Sequence, residues 1–321
     1  SCFLYTGNGT SQTITNGIDL STKGGLTWIK SRSAATNHNL FDTVQGATKL
    51  THSNTSDAAV TDANSLTAFN TTGFTLGSGN TSGNQVNTSA ATYASWSFRK
   101  QPKFFDIVTF SGNGSSTQTI SHNLGSVPGC MIVKGISGGS NWPVYHRSMD
   151  ASPQDYYMIV DGTDAKTNAV ANWGSTAPTS TQFTVGGNNN VNGYTYVAYL
   201  FAHDAGGFGL TGTDNVISCG SFTTDGSGQA TVTLGYEPQW IIMKATAGSE
   251  SWQMYDTMRG WSVKTSGAQE LDANSSSAEA ANNAGWPTAT GFFAQGQSAS
   301  RTYIYIAIRR GPMKVPTSGT S

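Results

Sequence analysis

Short apolar bursts of four to seven residues, many of them alternating with polar positions and punctuated by Gly, Asn and Ser, run along the chain. That period-two pattern predicts β-strands joined by turns rather than amphipathic helices. The bursts recur in order. "LTWIK" ends at Lys30, "CMIVK" at Lys134 and "WIIMK" at Lys244, and eleven residues beyond each lysine stands an aromatic, Phe41, Tyr145 or Tyr255, inside "NLFDT", "PVYHR" and "QMYDT". One strand and one hairpin-like connection are therefore written three times. Phe74, Phe183 and Phe292 follow at equal separations of 109 residues, and alternating aromatic strands, "TYASWSF", "YTYVAYLF" and "TYIYIAI", close each copy.

Each copy also opens on one phrase: "YTGNGTSQTI" from Tyr5, "FSGNGSSTQTI" from Phe110 and the weaker "FTTDGSGQATV" from Phe222. Gly and Asn tolerate the positive φ of tight turns, so the phrase reads as a first strand and first turn. A phosphate-cradling glycine loop would need a helix to follow, and none is predicted. The fold class expected is all-β: three tandem antiparallel β-sandwich, jelly-roll-like domains over residues 1–103, 104–209 and 210–321. An Ala/Asn/Asp/Ser segment in each copy predicts a short surface helix, with Ser276 and Glu279 at capping-box spacing. "FRKQPK" and "IRRGPMK" leave the first and third copies alike, so a connector is expected after Lys314 and the chain reads as a section of a longer protein.

Composition removes several functions. Charged residues are 11% of the chain, against about 25% in an average soluble protein, which leaves a neutral hydroxyl- and amide-rich surface. A net charge of −1 with no long Lys/Arg block offers no phosphate neutralisation, so no nucleic-acid partner is expected. No apolar run has the length of a membrane span.

Candidate chemistry is sparse. Cys2 and Cys219 align with Ile107, and Cys130 aligns with Leu26 and Trp240, so the cysteines read as reduced, buried strand residues rather than disulfide, zinc or nucleophile positions. The five histidines show no paired ligand spacing, and His146 stands where the other copies have Asp42 and Asp256, a polar strand or edge position. The first copy holds no Glu, and no carboxylate pair suits a glycosidase. Asp161 and Asp164 fit either a turn or a calcium contact. We therefore expect no catalytic residue, metal or cofactor. Trp142 and Trp252 match each other and read as packing, whereas Trp173, Trp261 and Trp286 are unmatched and lie beside Gly, Asn or Pro; loop packing against their own domain is the plainer reading, and they are also the candidates for contact with a sugar ring or partner.

The phrases "TYASWSFRKQPKFFD", "HNLGSVPGCMIVK", "WPVYHRSMDA", "YVAYLFAHDAGGFG", "LGYEPQW", "DTMRG" and "YIYIAIRRGPMK" resemble the tandem β-domain virion proteins of tailed bacteriophages, of the marine type. The resemblance covers much of the chain from Thr92 onward. It implies a non-enzymatic structural protein of the virus particle, part of a tail fibre or other exposed appendage. Its expected partners are other virion proteins, copies of itself in a homo-oligomer, and a host-surface glycan. A carbohydrate-binding adhesin module and a capsid decoration protein are the alternatives.

Overall fold

The computed structural model describes residues 1–262 and 267–311. The expected connector beyond Lys314 lies outside them. The chain is all-β, in antiparallel sheets. The first copy holds β1 (Cys2–Thr6), β2 (Gln12–Thr15), β3 (Gly25–Ser31), β4 (Asn39–Asp42), β5 (Lys49–His52), β6 (Val60–Thr61), β7 (Leu66–Asn70), β8 (Gly73–Leu76) and β9 (Thr92–Arg99). The second holds β10 (Phe105–Ser111), β11 (Thr117–Ser121), β12 (Cys130–Gly135), β13 (Pro143–His146), β14 (Tyr156–Ile159), β15 (Thr167–Asn168), β16 (Gln182–Gly186) and β17 (Thr195–Phe201). The third holds β18 (Ile217–Thr223), β19 (Ala230–Thr233), β20 (Pro238–Ala245), β21 (Gln253–Asp256), β22 (Ala268–Asp272), β23 (Ala280–Asn282), β24 (Gly285–Thr288), β25 (Gly291–Ala294) and β26 (Thr302–Arg309).

One strand order serves three times. The large sheets run β1-β9-β3-β4-β5-β6, β10-β17-β12-β13-β14-β15 and β18-β26-β20-β21-β22-β23. Lys30, Lys134 and Lys244 occupy the same strand of each, paired with Ala94, Val197 and Ile304 on the closing strand. A smaller sheet accompanies each large one: β2-β8-β7, β11-β16 and β19-β25-β24. The repeated opening phrase forms the first strand and a turn in which Gly9, Gly114 and Gly228 take φ of 72°, 75° and 73°. Its aromatic stacks on the closing strand: Tyr5 on Tyr93, Phe110 on Tyr196 and Phe222 on Tyr303, with ring centroids 5.1, 5.1 and 5.3 Å apart. Each closing tyrosine hydroxyl accepts the N–H of the residue five before it, Thr88, Val191 or Ser298. Such ring pairs contribute about 0.5–1.5 kcal/mol beyond their buried area.

The short surface helices are not there. The Ala/Asn/Asp/Ser segments form the edge strands β6, β15 and β23, and helical backbone among the described residues is confined to 3-10 turns at Pro153–Asp155, Gly187–Asn189 and Thr257–Arg259. The reason is a backbone bond: the N–H groups of Ala59, Lys166 and Glu279 donate to the carbonyls of Ile136, Thr246 and Arg32 in the neighbouring copy. An extended segment presents those donors outward. A helix would spend them internally.

These bonds run first to second, second to third and third to first, so the copies close on one another instead of standing in a row. The large sheets are apolar on both faces. Positions of one parity, such as Phe41, Tyr93, Met243 and Tyr303, pack in cores within their own copy. Those of the other parity, including Leu26, Trp28, Trp96, Phe98, Ile132, Tyr199, Trp240, Ile242 and Ile306, share one core drawn from all three. Phe98 of the first copy meets Phe201 of the second at 5.8 Å and Trp240 of the third at 5.5 Å.

Candidate functional site

The polar chemistry of the chain gathers where the copies meet. Lys30, Lys134 and Lys244 lie on the shared-core face and are fully buried. Lys30 Nζ donates to the Ala34 carbonyl in its own copy and the Ser276 carbonyl in the third. Lys244 Nζ donates to its own Glu250 carbonyl and to that of Thr163 in the second. Lys134 Nζ donates to the Ser140 carbonyl, whose residue in turn gives its N–H to Ser56 of the first copy. Burial lowers each ammonium to about 8, while nearby carboxylates, Glu279, Asp161 and Glu250 among them, raise it.

Eight residues past each lysine, a ring reaches across the same seam. Trp142 Nε1 donates to the His52 carbonyl at 3.0 Å, and Trp252 Nε1 to that of Ile159 at 2.7 Å. In the first copy His38 takes that place. Its Nδ1 accepts from Trp28 Nε1 at 2.9 Å, and the Asp272 carbonyl acts on the ring from the third copy.

Asp42, His146 and Asp256 are equivalent, all buried, and all do two jobs. Each supplies a side-chain acceptor to a following turn N–H: Gln45 to Asp42 Oδ1, Ser148 to His146 Nδ1, Arg259 to Asp256 Oδ1. Each also meets the closing strand of a neighbour. Tyr199 OH donates to Asp42 Oδ2 at 2.8 Å and Trp96 Nε1 to Asp256 Oδ2 at 3.0 Å. The corresponding closing-strand residue of the third copy is Ile306, which has nothing to donate. There the acceptor becomes a histidine, whose Nε2 donates to the Tyr305 backbone carbonyl at 3.0 Å. Burial drives His146 down to about 4, opposed by its bond to Tyr305 and reinforced by Arg147 and His203.

The seam between third and first copies adds ions. Arg259, fully buried, binds Asp256 at 2.6 Å and Glu279 at 3.3 Å and lies 5.3 Å from the Trp96 ring centre, while Arg32 of the first copy holds the other Glu279 oxygen at 2.7 Å. The sequence reading missed this chain of four charges. Its one available signal was "DTMRG", which carries an arginine where the first copy's "DTVQG" has Gln45.

The three sequence candidates part company. Trp173 is 0% exposed, donates from Nε1 to the Tyr156 carbonyl and packs edge-on against Tyr145 at 6.1 Å. Trp261 is also 0% exposed, against Tyr255 and Phe292. Neither offers a surface to a ligand, because two unrelated loops each turn a tryptophan inward onto the matched tyrosine. Trp286 alone is half-buried, on β24, with its ring 4.6 Å from that of Phe293. All three cysteines are free; Cys130 and Cys219 are buried, and Cys2 is half-buried. Asp161 accepts the Trp142 N–H at 2.9 Å, across 19 residues of chain. Among the described residues no group of three or more His, Cys, Asp and Glu could hold a metal ion, and no helix is long and apolar enough to cross a membrane.

A family model described as a domain of unknown function, DUF7483, matches residues 1–312. The chain belongs to the DUF7483 family. No curated protein matches it. The DUF7483 match runs unbroken through all three large sheets, as the shared core does.

Proposed function

We propose that the protein is a non-enzymatic structural component of a bacteriophage particle, part of a tail fibre or other exposed appendage, and that its three repeats form one folding unit. The observation that carries this reading is where the reactive side chains go: Lys30, Lys134, Lys244, Asp42, His146, Asp256 and Arg259 are all buried in contacts between repeats. What remains outside is largely Ser, Thr, Asn and Gly, a surface with few long charged side chains to order when a block stacks on copies of itself or on other virion proteins. The likeness of the quoted phrases to tandem β-domain virion proteins supports the same role. Gold-labelled antibody against this chain, applied to purified particles, is expected to decorate an appendage in electron micrographs. Label on the capsid would favour decoration instead, and particles carrying none of the chain would overturn the virion reading. A second reading, a carbohydrate-binding adhesin, is favoured by the half-buried Trp286 beside Phe293.

A further inference from the structure

The small sheets of the first and third copies can be compared position by position. In the first, Thr13 pairs with Thr75, which pairs with Ala68. In the third, Thr231 pairs with Phe293, which pairs with Trp286. The neighbours of this row, Val232 and Phe292, face the core and are buried, so by strand alternation Thr231, Phe293 and Trp286 face outward. Thr231 is exposed and the two rings are half-buried. The second copy places Thr184 where the third has Phe293, and lacks the third strand altogether.

Stability does not ask for aromatic rings here. Two sibling sheets hold the same place with threonine, and in the first copy Thr13 and Thr75 hydroxyls meet at 3.2 Å across the strands. The third copy has an apolar shelf of two rings where the first has that hydroxyl pair and Ala68. By the same alternation Thr231, Thr233 and Thr288 share the face of the shelf, and β19, β24 and β25 contain no Asp, Glu, Lys or Arg.

We infer that Trp286 and Phe293 form the platform of a saccharide-binding site for a neutral pyranose chain. The apolar C–H face of a pyranose lies against an aromatic face while its hydroxyls meet threonine hydroxyls, and a shelf without charge complements an uncharged sugar rather than an acidic one or a phosphorylated peptide. This site does not rest on the virion assignment: it is measured on the isolated chain, so failure of particle labelling and failure of sugar binding are separate results.

The test is titration of the ¹⁵N-labelled chain with cellohexaose, maltohexaose and chitohexaose, with polygalacturonate as the acidic probe, watching the tryptophan indole N–H resonances. At least one neutral hexaose is expected to shift the Trp286 indole while those of Trp173 and Trp261 stay still, with polygalacturonate at least tenfold weaker. Phe293→Thr and Trp286→Ala, which install the residues of the first copy, are expected to weaken binding at least tenfold and leave the other indole resonances in place. Absence of a shift with all three neutral hexaoses would overturn the site. So would binding that survives both substitutions, or polygalacturonate binding as tightly as the neutral chains.

Discussion

The seam between the first and third copies and the two seams between consecutive copies are built on one backbone plan and finished with different side chains. Where Arg259 binds Asp256 and Glu279, the first-to-second seam has Asp42 with the neutral Gln45 and Tyr199, and the second-to-third has His146 followed by Met149. The difference follows the chain. Consecutive copies are joined by peptide, through residues 99–105 and 201–217, and so arrive beside each other already. The third and first have no such tether between them, and only non-covalent contacts, the Glu279 N–H to Arg32 carbonyl bond and the side chains around it, can decide how they meet. A buried ion pair adds little net stability over a well-packed apolar replacement, yet a misaligned one is costly, so the four-charge chain is expected to disfavour wrong registers at this seam.

The largest effect should come from breaking that chain. Arg259→Met leaves Asp256 and Glu279 without their buried partner and is expected to lower unfolding free energy by about 3–5 kcal/mol in denaturant titration. The matched substitution Gln45→Met, which leaves Asp42 its Tyr199 bond, should lower it by about 1 kcal/mol. If the two losses are equal, the ionic seam is not special. Combining Arg259→Met with Asp256→Asn and Glu279→Ala should recover part of the loss, because the unpaired charges go with it.

Acid should single out the second-to-third seam. His146 sits at about 4 in the fold against an ordinary value of 6.5, so between those limits the unfolded chain binds the proton first. Stability is therefore full above about pH 6.5 and falls as pH drops towards about 4, by up to about 3 kcal/mol from this group. His38, His52, His122 and His203 are shifted down as well, chiefly by burial, and add to the trend. Comparing denaturation midpoints at pH 7.5 and 4.5 tests it, and His146→Gln should flatten the dependence. An unchanged slope would show that His146 does not set the acid response, which the other histidines add to and the buried Glu270 carboxyl, raised to about 7, opposes.

The smallest effects belong to the rings that bridge each seam. Trp252→Phe keeps most of the packing but removes the indole donor to the Ile159 carbonyl, at a cost of about 1–2 kcal/mol, and Trp142→Phe removes it from the Thr55 carbonyl and from that of His52, which keeps the Thr55 N–H, at a similar cost. A loss confined to one of them would show that the seams are not equivalent even in their shared plan.

Much of this architecture was legible in the sequence because it is periodic. The lysine anchors, the aromatic eleven residues on, and the glycine-rich turn, Gly-Asn-Gly in the first two copies and Asp-Gly-Ser-Gly in the third, are short-range patterns, and each falls on the same strand or turn in all three copies. Closure was missed, although "CMIVK" and "WIIMK" are unbroken apolar runs, and a strand apolar at both parities needs a partner on both faces. Trp173 and Trp261 stood between two readings in the sequence, a contact platform and the packing of a loop on its own domain, because they lack counterparts and the equivalent tyrosines they pack against lie 28 and 6 residues before them, at separations no local pattern links. Asp42, His146 and Asp256 were recognised as matched polar positions, but which neighbour each faces depends on how three sheets converge.

The shared core has a genetic consequence. In an assembly of three identical chains, one codon change alters every seam at once, and a substitution tolerable at one contact is judged at all three. Here each seam has its own codons. An isoleucine at position 306 could be answered by a histidine at 146 alone, and an aromatic shelf could arise on one small sheet while its siblings kept their threonines. Joining the copies in one chain turns symmetry from a constraint on inheritance into a scaffold on which three surfaces drift apart.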